Sequence, residues 1–163
     1  LYFFLPAYFA NMAPIFVKKI PFLNIPIWEK KLGTHKTWRG VVSAVVFGGL
    51  VFWLQKVAYV AGFRSFAVID YNDFSILLGV LLGFGAIFGD AVKSYYKRKA
   101  KIKEGQPWPV FDQIDFVVGG LVFSWFVFVP PVEVALVLIV LSPILHILIS
   151  YSGYLLGLRK VKY

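Results

Sequence analysis

Hydrophobic positions in this chain fall in long blocks, and the short segments between them hold nearly all the charge. A helix needs about 20 mostly apolar residues to cross the hydrocarbon core of a bilayer. Five blocks answer to that description, at about 1–17, 40–62, 74–92, 114–131 and 134–158. The first carries Pro6, Asn11 and Pro14, and the second has Gln55 and Lys56 near one end, where a lysine can snorkel to the interface. The third is the cleanest. The fourth is short, with Pro130 and Pro131 marking its end, and Pro143 is placed to kink the fifth. The pattern predicts an all-α, polytopic integral membrane protein, a single transmembrane domain over 1–163 with five transmembrane helices.

Composition agrees. The chain is 60% hydrophobic and 15% charged, where soluble domains are nearer half apolar and a quarter charged. Without cysteine there is neither disulfide nor thiol chemistry. Leu1 in place of an initiator Met predicts a start upstream, and the first block ends in Lys18 and Lys19 without the small-residue cleavage site of a signal peptide.

The net charge of +9 is unevenly placed. Lys18, Lys19, Lys30, Lys31, Lys36 and Arg39 lie in one loop, Lys93 to Lys103 in another, and Arg159, Lys160 and Lys162 at the C-terminus. The opposite side holds Lys56 and Arg64. By the positive-inside rule, loops 18–39 and 93–113 and the C-terminus face the cytoplasm and the N-terminus lies outside. The protein is thus expected in the cell membrane, multi-pass, with its polar site on the cytoplasmic side.

That site is written in "GDAVKSYYKRKAKIKEGQPWPVFDQIDF", residues 89–116, which packs ten charges into an apolar chain. If the third helix continues past Val92, then Asp90, Lys93, Lys97 and Lys101 share one face, with Ser94 and Arg98 beside them. Gly105, Pro107 and Pro109 break the helix; Asp112 and Asp115, three apart, share a face of the next. Folding back over the break would gather Asp90, Asp112 and Asp115 around one point with Lys93, Lys97 and Arg98 nearby. Grouped carboxylates repel unless a cation lies between them, and Mg²⁺ prefers a few carboxylates plus phosphate oxygens. Lysines and an arginine around such a metal would cradle a polyanion. The set suits phosphoryl or nucleotidyl transfer.

A blander reading takes Lys99, Lys101 and Lys103 as topology signals that touch anionic lipid heads. It leaves the aspartates unexplained, since carboxylates at the ends of spans are costly and usually functional. A second polar patch, "LGTHKTWRG" at 32–40, offers Lys36, Thr37 and Arg39 as phosphate or base contacts, with Gly33 and Gly40 allowing close approach. Asn11 could bond a neighbouring helix or reach the site. His146 reads as an interhelical hydrogen-bonding residue, His35 as a loop residue, and Asp70 and Asp73 as solvated. The tryptophans fit interface anchoring, and nothing resembles a nucleic-acid stacking platform. No helix-pair motif argues for a dimer.

The long motif closely resembles the signature of CDP-archaeol synthases, archaeal relatives of the CDP-diacylglycerol synthases. The wider family carries a serine, a lysine–arginine pair, a Gly/Pro turn and two aspartates three apart; here these are Ser94, Lys97 and Arg98, Gly105 with Pro109, and Asp112 with Asp115. Gln113 stands where the diacylglycerol enzymes have arginine, and "GQPWPVF" replaces their glycine–histidine turn; both favour the archaeal branch. "KTWRG" at 36–40 and "LPAYFANMAPIF" at 5–16 extend the resemblance. It implies that an unsaturated archaeal ether lipid phosphate, 2,3-di-O-geranylgeranylglyceryl 1-phosphate, attacks the α-phosphorus of CTP, with Mg²⁺ required. On that expectation Asp90, Asp112 and Asp115 serve the metal, and Lys93, Lys97 and Arg98 hold the triphosphate and the lipid phosphate. Lys36, Thr37, Arg39, Gly40, Ser94, Gly105, Pro109 and Gln113 then complete the nucleotide pocket.

The main rival is an ion or solute transporter with an aspartate site. It predicts polar residues spread along several spans near the midplane, whereas the charge here gathers at one membrane surface.

Overall fold

Thr37 sets the start of the first long helix: its hydroxyl accepts the Gly40 N–H at 3.3 Å, satisfying one of the free N–H groups at the helix end. The structure, a computed structural model, describes residues 1–155. A 3₁₀ turn at Tyr2–Phe4 leads into α1 (Leu5–Phe16), followed by α2 (Glu29–Leu32), α3 (Trp38–Val60), α4 (Leu77–Lys99), α5 (Phe111–Ser124) and α6 (Val132–Leu155). Among the described residues there is no strand, only an isolated bridge between Pro26 and Thr37.

Both α3 and α4 have 23 residues and are long and apolar enough to cross a membrane. At about 1.5 Å per residue each reaches the thickness of a bilayer core. Several helix ends differ from the edges of the apolar blocks. α4 runs on past Val92 to Lys99, so Asp90, Lys93 and Lys97 share one continuous helix. α5 opens at Phe111 and stops at Ser124. The Ser124 carbonyl accepts the N–H groups of Val127 and Phe128, closing the chain into a turn, so Pro130 and Pro131 lead into α6 rather than ending α5. The short α2 has no counterpart in the blocks. The last residues assigned to the fifth block, 156–158, and the cations Arg159, Lys160 and Lys162 lie outside the described residues.

Glycines decide how closely the helices approach. α4 packs most extensively on α5 and next on α3. A side chain at Gly89 would run into the Asp115 carbonyl, and one at Gly119 into that of Gly85. On the other side of α4, Gly79 and Gly83 meet Gly48 and the Ala44 carbonyl of α3 with the same tightness. Small residues spaced four apart let helix backbones touch, which is how helices gain van der Waals contact where water offers no hydrophobic drive. The Gly89–Asp115 contact places Asp90 beside the first turns of α5.

The buried aromatic core, with Phe3, Phe4, Phe52, Tyr71 and Phe116, lies between these helices. α6 is pinned by a hydrogen bond between the Tyr8 and Ser142 hydroxyls, and α3 by Gln55, whose Nε2 donates to the Tyr2 carbonyl at 2.6 Å. Outward faces are apolar: Val46, Leu50, Trp53 and Leu54 on α3, and Leu136, Val140 and Ile144 on α6, are all exposed. Water would not tolerate so large an apolar surface; the helices have lipid as their solvent.

Candidate active site

Three carboxylates and three ammonium groups meet where α4, α5 and the lead-in to α3 converge. Lys93 is central. Its Nζ lies 2.9 Å from Asp90 Oδ1, 3.1 Å from Asp112 Oδ1 and 2.6 Å from Asp115 Oδ2. Lys36 reaches from the loop before α3 to pair with Asp90 Oδ2, and Lys97 donates to both oxygens of Asp112 at 2.9 Å. Each element supplies what its local geometry allows. Asp90, Lys93 and Lys97 stand on one face of α4 at steps of three and four. Asp112 is held at the start of α5 by a reciprocal pair: its N–H donates to the Trp108 carbonyl at 3.0 Å, and its Oδ2 accepts the Trp108 N–H at 2.6 Å. Asp115 Oδ1 accepts the Phe116 N–H at 2.7 Å. Buried lysines and aspartates are stable only when paired in this way.

The cluster forms one wall of a polar cavity of about 330 Å³. Gly105, Gln106 and Pro107 from the loop before α5 close it on one side, and Asn11 and His146 contribute from α1 and α6. Asp90, Lys93, Lys97, Asp112 and Asp115 are therefore brought together around one space. Gln113, also buried, lines it, and its Oε1 has no hydrogen-bond partner. His146, read from the sequence as an interhelical hydrogen-bonding residue, also lines the cavity, one turn of α6 beyond the Ser142 that meets Tyr8.

Other candidates lie apart. Thr37 caps α3, and with Lys36 and Gly40 lines a neighbouring groove. Arg39 donates to the Ile20 carbonyl and so tethers the first loop. The Ser94 hydroxyl donates to the Asp90 carbonyl at 2.8 Å, one turn back along α4. Arg98 has a buried, unpartnered Nε, and neither it nor Pro109 lines the polar cavity. Asp70 accepts the Asn72 N–H in an exposed turn.

Two apolar grooves run up to the cluster from the sides. One, of about 550 Å³ between α4 and α5, is lined by Phe88, Val92, Ile114, Val118 and Phe123, with Lys93 and Asp115 at its polar end. The other, of about 430 Å³, holds Ile27, Phe84 and Ile87 and ends at Lys36 and Asp90.

Among the described residues no three histidine or acidic side chains stand as a ready metal cage. The reason is visible: the point shared by Asp90, Asp112 and Asp115 holds the Lys93 ammonium. An oxygen-only set around a cation fits a hard divalent ion such as Mg²⁺ once that ammonium gives way.

An intramembrane helical bundle with a charged pocket at one end, entered by apolar grooves, is the architecture of an enzyme acting on a lipid headgroup. The comparisons with known proteins narrow this. The family model described as CarS-like, CDP-archaeol synthase, matches residues 1–163. The chain is 33% identical to a CDP-archaeol synthase of Methanocaldococcus jannaschii, over 99% of this chain and 94% of that one. It is 39% identical to a CDP-archaeol synthase of Methanococcus vannielii, over 98% and 93% of the two. A solved structure described as an intramembrane enzyme for archaeal membrane lipids biosynthesis matches with a TM-score of 0.72 and 25% identity, over 91% of this chain and 90% of that one. The chain belongs to the CarS-like, CDP-archaeol synthase family, and the transporter reading is without support.

Proposed function

We propose that this protein is a membrane cytidylyltransferase that moves CMP from CTP to the phosphate of an isoprenoid glycerol ether lipid, 2,3-di-O-geranylgeranylglyceryl 1-phosphate, releasing pyrophosphate. Family membership supports the reaction. The observation that carries the site is the meeting of Asp90, Asp112 and Asp115 on the Lys93 ammonium, at the ends of two apolar grooves.

A phosphomonoester is largely dianionic at neutral pH, so its oxygen attacks the α-phosphorus without a strong general base. A bond forms from that oxygen to the α-phosphorus, the α–β bridging bond breaks, and pyrophosphate leaves with the electron pair. The chain's task is to hold two polyanions together and in line, which is positioning plus charge neutralisation. Mg²⁺ bound at Asp112, Asp115 and Asp90 would neutralise the triphosphate and polarise its phosphorus. Lys93, Lys97 and Lys36, now paired with those aspartates, would turn to phosphate oxygens as the aspartates take up the metal. Gln113 offers its free Oε1 to the incoming nucleotide, and the isoprenoid chains stay in the grooves with their phosphate drawn to Lys93 or Lys36.

In this reading α1, α3, α4, α5 and α6 are all embedded, giving five crossings. The charged end, with loops 18–37 and 100–110, faces the cytoplasm, and the N-terminus lies outside. The test is pyrophosphate release by purified protein in detergent with Mg²⁺ and the lipid phosphate, comparing CTP with ATP, GTP and UTP and running Asp112→Asn alongside. Release that needs CTP, lipid and metal together and disappears in the variant supports the proposal. Folded protein with no lipid-dependent release from any nucleotide ends it.

A further inference from the structure

The two loops at the charged end carry different parts of the site. Loop 33–37 delivers Lys36 to Asp90, and loop 100–110 supplies Gly105, Gln106 and Pro107 to the cavity and Trp108 to Asp112. Three polar contacts join the loops, and all three end on Glu104 Oε1. It accepts the Thr34 hydroxyl at 3.2 Å and the His35 N–H at 3.3 Å, and His35 Nε2 lies 3.7 Å away. Gly33 completes the fit. Its φ of +90° favours glycine, and a Cβ there would sit 2.7 Å from the same oxygen. The first loop is therefore shaped, three residues before the lysine that pairs with Asp90, to receive this carboxylate.

Resting on the reaction proposed above, we infer that Glu104 is a positioning residue. It clasps loop 33–37 to loop 100–110 so that Lys36 is presented to the nucleotide phosphates at the right depth. Lys36 carries a long flexible chain whose rotamer freedom must be lost on binding; fixing its backbone beforehand lowers that cost, which is preorganisation. Glu104 itself does not line the polar cavity, so its effect passes through Lys36. The acceptor geometry, rather than the charge, does most of this, since two of the three donors are a hydroxyl and an amide.

The experiment compares Glu104→Ala and Glu104→Gln, each alone and with Lys36→Met, in two readouts on the full chain in detergent. The kinetic readout is the KM for CTP and kcat. Glu104→Ala raises the KM for CTP about five-fold with kcat changed less than about two-fold, Glu104→Gln stays near the parent, and Glu104→Ala adds nothing once Lys36 is Met. The second readout, amide hydrogen exchange at His35, whose N–H donates to Glu104, needs no turnover: exchange quickens in Glu104→Ala and not in Glu104→Gln. Unchanged exchange in the alanine variant overturns the clasp even if the enzyme reading stands. Faster exchange with an unaltered CTP KM, or an undiminished alanine effect in the Lys36→Met background, overturns the positioning role. If the parent shows no CTP-dependent turnover at all, the reaction has failed, and the exchange data still decide the clasp.

Discussion

Lys93 and Asp115 are joined at 2.6 Å across the α4–α5 contact, and the same ammonium holds Asp90 and Asp112. Removing it leaves Asp115 without a cation and only Lys36 and Lys97 against three carboxylates, so Lys93→Met is expected to lose at least about 100-fold in kcat, in the range of a lost charge-stabilising donor. It should also melt lower than the parent without metal, and recover when Mg²⁺ takes the vacated point, because a ligand that binds only the folded state stabilises it. Melting curves in detergent with and without Mg²⁺ check this. A variant whose melting point ignores Mg²⁺ would count against a metal among these aspartates.

Asp112→Asn and Asp115→Asn keep side-chain size and remove charge. Each is expected to abolish turnover, while Asp70→Asn, in an exposed turn, leaves it unchanged. The contrast, read as CTP-dependent pyrophosphate release at equal protein and equal melting point, separates site chemistry from a general loss of negative charge.

Gly89→Ala and Gly119→Ala each insert a methyl against a facing backbone carbonyl. Backbone cannot step aside as a side chain tip can, so the expected cost is about 1–3 kcal/mol, seen as a lower melting temperature. Activity should fall further than stability accounts for, because widening the α4–α5 gap withdraws Asp90 from Asp115. Gly62→Ala has open space around it, although its φ of +99° is strained for alanine. It should cost a similar stability and spare activity.

Much of this was legible in the sequence. Asp90, Lys93, Lys97, Asp112 and Asp115 were readable because helical spacing and a Gly/Pro break are local signals. What could not be read was set by tertiary contact. Gly85, Gly89 and Gly119 sit in spans where glycine is ordinary, so only the facing carbonyls reveal their purpose. His146 looks like any polar residue in an apolar helix until Tyr8 and Ser142 fix the rotation of α6. Arg39 reads as a phosphate contact beside Lys36, yet the helical turn begun at Thr37 sends it the other way, to the Ile20 carbonyl. Glu104 was passed over because one acid among many lysines looks like solvated surface; its partners lie some 70 positions earlier in the chain.

The Glu104 clasp makes a prediction about pH. Burial works against ionisation, but the His35 N–H, the His35 ring, the Thr34 hydroxyl and the nearby Arg98 guanidinium outweigh it and hold the carboxyl below its ordinary value of 4.5. A group whose pKa is depressed in the folded chain contributes stability that is present above its unfolded pKa and lost as pH falls through the folded one. Exchange protection at His35 should therefore hold steady from neutral pH down to 4.5 and decline only modestly below it, because the protonated carboxyl, like Gln, still offers an acceptor oxygen. Glu104→Gln, which cannot ionise, should show no such decline. Exchange rates corrected for the intrinsic pH dependence of amide chemistry would read this directly. A loss of protection already near neutral pH, or one that Glu104→Gln shares, would count against the carboxylate as what holds the loops together.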